Sequence, residues 1–138
     1  MLANLALGKA GELRVASELL IRGHEVFFTL VDSGADLILG NGKRIQVKAS
    51  HQKNCSLDGH YYPRYTFSFK SWKKKAGCYE PHSLEGIDFV ILWAIEHDEF
   101  FVMPTEAIRG KYSVRLQLTG VSHSIYLGFK AKWDLLNQ

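Results

Sequence analysis

Cysteine is scarce in this chain. Cys55 and Cys78 are its two cysteines, and neither belongs to a CxxC pair or to a Cys/His spacing suited to zinc. A disulfide framework and a structural zinc site are therefore not expected, and both thiols read as reduced. Long apolar runs are lacking as well. The longest, Phe89 to Ile95, falls far short of the ~20 residues a membrane-spanning helix requires. The opening stretch MLANLALGKAGELRV carries Lys9 after its apolar part and has neither the region order nor the cleavage site of a signal peptide, which points to a cytoplasmic setting. Repeats, low-complexity tracts and an obvious linker are missing too. All 138 residues are therefore expected to form one globular domain, large enough to bury its own core.

Acidic residues are nearly missing from one part of the chain. From Lys43 to Lys75 nine basic residues face a single acid, Asp58, so that segment carries +8 while the remainder carries −5 and the whole +3. A concentrated cationic face on a mildly charged protein is the footprint of a phosphate-backbone binder, although a run such as KSWKKK is also an ordinary solvated surface.

Periodicity predicts a helix over residues 3–21, with Val15, Ala16, Leu19 and Leu20 at helical spacing and Gly23 ending the pattern. Strands are expected at Glu25 to Leu30, Ala35 to Leu39 and Lys43 to Ser50. RYTFSFKSW alternates Tyr65, Phe67 and Phe69 with polar residues, as a half-buried strand or a short helix would. GIDFVILWAI and DEFFVMP read as two further strands joined by the turn at Glu96 to Glu99. Pro104 suits the first turn of a short helix, PTEAIRG. YSVRLQL and SIYLGFKA are further strand candidates, and KWDLLNQ a closing helical turn.

Glu12 breaks the amphipathic rule of the first helix, because it lies three and four residues before Val15 and Ala16 and so projects from the apolar stripe. A carboxylate leaving water needs a cation, a metal ion or a proton; a nearby basic side chain or the helix dipole would also satisfy it. The stretch GADLILGNGKRIQVKAS supplies further polar groups. A three-residue loop, Gly40 to Gly42, pairs Leu39 with Lys43 and Asp36 with Gln46. Asp36, Ile38, Arg44, Gln46 and Lys48 then share one face, and the apolar Leu37, Leu39, Ile45, Val47 and Ala49 share the other. A two-residue loop would mix the faces. An acid and amide oxygens are hard ligands that suit Mg²⁺, with a neighbouring lysine to hold water and offset charge on phosphorus. An ordinary cross-strand Asp/Lys pair is the alternative.

GKAGE on the first helix, then GADLIL, a glycine turn and IQVKAS, together resemble the PD-(D/E)XK nuclease superfamily, in particular its small Holliday-junction-resolvase-like and intron-homing-endonuclease-like members. The resemblance covers residues 5–50 and, more loosely, GIDFVILW and EFFVMP. It implies an α/β restriction-endonuclease-like core, a mixed β-sheet flanked by helices in the order helix, three strands, helix, strand. It also implies a metal site made by Glu12, Asp36 and Gln46 with the Val47 carbonyl, and a water-positioning role for Lys48. Gln46 stands where the majority motif has an acid, which leaves Glu12 and Asp36 as the carboxylates. The function expected is Mg²⁺-dependent hydrolysis of DNA phosphodiesters, with Mn²⁺ as a possible substitute, by a homodimer. Lys43, Arg44, Lys53, Lys70, Lys73, Lys74 and Lys75 would contact the backbone, and residues 51–64 and 109–124 are the expected recognition loops. Two other readings stay open: an inactive nucleic-acid-binding module on the same fold, and a single-strand or RNA binder that stacks bases on the Tyr61 to Trp72 segment.

The remaining signals point nowhere specific. GKAG at Gly8 lacks the Ser or Thr and the upstream glycine of a phosphate loop. The six histidines show no HxH or HxxxH spacing, and of these only His51 and His60 lie in the basic segment.

Overall fold

A computed structural model describes residues 2–30, 34–120 and 124–138. The α-helix among them, α1 (Leu2–Ile21), is followed by ten strands. These are β1 (Val26–Phe28), β2 (Leu37–Leu39), β3 (Arg44–Ser50), β4 (Lys53–Leu57), β5 (His60–Ser68), β6 (Lys70–Lys73), β7 (Cys78–Pro81), β8 (Phe89–Ala94), β9 (Glu99–Pro104) and β10 (Ser113–Leu116). Five of them form the central sheet in the order β1-β2-β3-β8-β9; β3 and β8 run parallel and the other pairs antiparallel.

Each face of this sheet carries a core. On one face α1 buries Val15, Ala16 and Leu19 against Leu37, Leu39, Ile45, Val47 and Ile91. On the other, Tyr65, Phe67, Phe69, Val114 and Leu116, from and just beyond β5 and β10, pack against Val90, Leu92, Phe101 and Met103. Gly11 sets how closely the helix approaches, since a Cβ there would stand 2.9 Å from the Ala49 Cβ. A glycine inside a helix costs about 1 kcal/mol relative to alanine, so its presence here is a packing requirement.

Leu37 pairs with Ile45 and Ile38 with Arg44, the register expected for a three-residue loop, with Gly42 at a φ of +89°. Three expectations need correction. The connection from β3 to its parallel neighbour β8 is made by β4 to β7, where the family pattern places a helix. SIYLGFKA is no strand: Ile125–Phe129 is a 3-10 helix, started by the Ser124 hydroxyl accepting the Tyr126 N–H at 3.3 Å. Pro104 ends β9 and precedes the short 3-10 turn Thr105–Ala107, because its ψ of 143° is extended and not helical.

Candidate active site

The hairpin of β2 and β3 builds the site from its own register. Pairing stops at Leu37 and Ile45, so β3 runs on past the end of β2 and leaves its backbone available on that side. The Asp36 carboxylate fills the gap: Oδ2 accepts the Val47 N–H at 2.7 Å. Because a strand residue directs its N–H and C=O to the same side, the Val47 carbonyl also points toward Asp36.

The register extends to place Gln46 beside Asp36, on the face that also carries Lys48. Gln46 Oε1 is buried and has no hydrogen-bond partner among the described residues. A buried amide oxygen left without a donor costs about 1–3 kcal/mol, a penalty that a ligand with a positive end would remove.

Glu12 reaches the same place from α1. Its side chain is 21 % exposed and takes an ion pair from Lys9 Nζ at 2.7 Å. A basic neighbour therefore satisfies it, as one reading of the sequence allowed. Even so, Glu12 faces Asp36: the two carboxylates, with Lys9, Thr29, Ala35 and Phe28, line one polar cleft. Burial pushes the Asp36 carboxyl above the usual aspartate range, the Val47 N–H and Lys48 oppose that rise, and Glu12 reinforces it. Lys48 shifts the other way, its ammonium held below the usual lysine value by burial and partly restored by Asp36. Its Nζ lies 5.6 Å from the centre of the Phe69 ring.

Geometry thus gathers Glu12, Asp36, Gln46 and Lys48, with Asp36 in the middle. Among the described residues no three acidic, His or Cys side chains converge, so the donor set is two carboxylates, one amide oxygen and one backbone carbonyl. That hard, all-oxygen set suits Mg²⁺, which keeps several of its own waters.

Two neighbours of Lys48 were not visible in the sequence. Phe69 lies under its ammonium, and His82 packs edge-on against Phe69, with ring centroids 6.4 Å apart. Burial, followed by the charges of Lys48 and Lys73, holds the His82 ring below the usual histidine value, hence neutral at pH 7. No spacing connects residues 48, 69 and 82; only the strand excursion brings them together. Of the two histidines in the basic segment, His51 pairs with Glu96 at 3.0 Å and His60 is exposed on β5.

Phe69 and His82 also bracket the base of the β6–β7 hairpin, where Lys70 pairs with Pro81. This hairpin carries the exposed Lys70, Lys73, Lys74 and Lys75, together with Trp72 and Tyr79 in edge contact at 5.1 Å. Lys53 is exposed on β4, and Lys43, just before β3, and Arg44, its first residue, are half-buried. Tyr65, Phe67 and Phe69 are core residues and offer no stacking platform, whereas Tyr61 and Trp72 are exposed. Of the expected recognition loops, 121–123 lie outside the described residues.

No helix among the described residues is long and apolar enough to cross a membrane. No family model and no curated protein matches the sequence. Among solved structures, the fold is similar to that of a bacterial homing endonuclease, I-Ssp6803I, with a TM-score of 0.70 and 20 % identity over 94 % of this chain and 88 % of that one. The chain has an endonuclease-like α/β core.

Proposed function

We propose that this chain is a metal-dependent endodeoxyribonuclease of the PD-(D/E)XK type, in a QxK form, acting as a homodimer in the cytoplasm. One observation carries the reading. A carboxylate, an orphaned amide oxygen and a half-buried ammonium meet at a break in strand pairing, each kept in a state that costs stability. Strain of that kind concentrates at functional sites. The endonuclease-like fold of the solved neighbour supports it.

Asp36, Gln46 Oε1 and the Val47 carbonyl, with Glu12 beside them, would hold Mg²⁺ or Mn²⁺. When bound, the ion would neutralise phosphate charge and make the attacking water more acidic. The chain's own groups do the rest. Lys48, anchored over Phe69, orients the water against the phosphorus and stabilises negative charge as it builds there. The His82 ring packs edge-on against Phe69 and limits how far that platform can shift. Lys70 and Lys73 to Lys75 grip the backbone beside the site, with Lys43, Arg44 and Lys53 as further contacts.

Plasmid and branched DNA incubated with the protein in Mg²⁺ or Mn²⁺ test this. Wild type should cut and Asp36→Ala should not; identical products from both would refute the enzymatic reading. A second reading, a binding module without chemistry, is favoured by the Lys9–Glu12 ion pair and by Gln46 in place of an acid. It predicts salt-dependent DNA binding with no cleavage and no Mg²⁺ uptake by calorimetry, even with DNA present.

A further inference from the structure

Register sorts the side chains of the β6–β7 hairpin onto two faces. Lys70 pairs with Pro81, Ser71 with Glu80, Trp72 with Tyr79 and Lys73 with Cys78. One step before β6, the Phe69 carbonyl accepts the His82 N–H, so these two residues continue the pairing. Paired residues share a face, and neighbours along a strand alternate between faces. Phe69, Ser71, Lys73, Cys78, Glu80 and His82 therefore lie on one face, with Lys70, Trp72, Tyr79 and Pro81 on the other. The first face is the one that meets the active site. Lys48 Nζ stands 5.6 Å from the centre of the Phe69 ring, and the His82 ring packs edge-on against the same ring. Glu80, exposed, is the one acid on this face.

His82 thus sits near cations of two different elements, Lys48 of β3 and Lys73 of β6. Burial first, then Lys48, holds its half-buried ring neutral; Lys73 adds to this, and a hydrogen bond to the Lys70 backbone acts the other way. Among the described residues neither Lys48 nor Lys73 is held in an ion pair. Two such ammonium groups repel one another, and an anion placed between them relieves the repulsion. The same anion reverses the electrostatics at the ring, because a nearby negative charge favours the imidazolium. A charged ring has two N–H donors, so one can stay on the Lys70 backbone while the other makes a charge-assisted hydrogen bond to the anion.

We propose that Lys48, His82 and Lys73 form a subsite for a phosphate of the bound DNA strand, and that His82 takes up a proton from solvent as that phosphate enters. The ligand follows from the nuclease reading, on which this inference rests, since DNA phosphate is the anion which that reading brings to Lys48. The phosphate held here neighbours the one being cut, because Lys48 stands where the site joins the hairpin. His82 gains a direct substrate contact beyond its support of Phe69. The proton returns to solvent when the DNA leaves, so grip on the strand weakens as pH rises.

Calorimetric titration of a short DNA duplex into the whole chain tests this, at pH 7 with a chelator present so that no strand is cut. Two buffers of different ionisation enthalpy count the protons taken up. Wild type should take up protons that His82→Asn does not, and between pH 6 and pH 8 its affinity should fall by up to about tenfold more than that of the variant. Equal uptake by the two proteins overturns the proposal. Nitrogen-15 spectra of wild type decide the matter even if His82→Asn fails to fold. The His82 ring should pass from the neutral to the imidazolium pattern when duplex is added, and a ring that stays neutral overturns the subsite. Cleavage in Mg²⁺ without proton uptake at His82 sinks the subsite and leaves the nuclease reading standing. Uptake at His82 without cleavage supports the subsite and removes the chemistry, and a chain that binds no duplex overturns both.

Discussion

Burial pulls Asp36 and Lys48 toward neutrality from opposite sides, and both effects weaken the fold at neutral pH. Asp36 holds its proton above the ordinary value of 3.8 in the folded chain, so without metal its contribution to stability is greatest when protonated and falls as pH rises through that raised value. Lys48 releases its proton below the ordinary 10.5, so its contribution is lost as pH falls from 10.5 through the lowered value. Between these limits both groups are charged, partly buried and only in part compensated by one another. Asp36→Asn keeps an acceptor for the Val47 N–H while removing the charge. It should raise metal-free stability by about 1 kcal/mol, the usual scale of a site's stability–activity trade-off, and abolish cleavage. A thermal melt at pH 7 and a plasmid assay read both effects, and a lower melting temperature would contradict the account. Gln46→Glu should do the reverse. A third carboxylate beside Asp36 and Glu12 lowers the melting temperature without metal, and Mg²⁺ restores it by more than it shifts wild type. Equal Mg²⁺ shifts in the two proteins would remove Gln46 from the site.

At the scale of elements, the approach of α1 to β3 is fixed by one missing Cβ. Gly11→Ala gains about 1 kcal/mol of helix propensity but drives a methyl to 2.9 Å from Ala49. Overpacking of this kind costs about 1–3 kcal/mol, so the variant should be net destabilised in urea, and it should lose cleavage as Glu12 shifts with its helix. A more stable Gly11→Ala would mean that the helix floats freely on the sheet. The same contrast explains which elements were legible in the sequence. The β2–β3 hairpin was, because an odd loop length and a strict alternation of apolar and polar residues admit one register. Strands β4 and β7 were not. Both are largely exposed, so neither alternates in hydrophobicity, and the strand excursion stood where the family pattern suggested a helix. Ile125–Phe129 misled for a related reason: Tyr126, Leu127 and Phe129 all touch the core, and five residues are too few to separate a period of two from one of three. His82 was hidden with β7, and its place beside Lys48 follows from that hairpin alone.

Taken whole, the molecule separates its charge. The +8 segment carries β6 and its turn, and these rise from beside Lys48. If that hairpin grips phosphate, replacing Lys73, Lys74 and Lys75 by alanine frees up to three phosphates. The slope of log K against log salt should become shallower by about 0.9 for each phosphate freed on duplex DNA; an unchanged slope would place the DNA elsewhere.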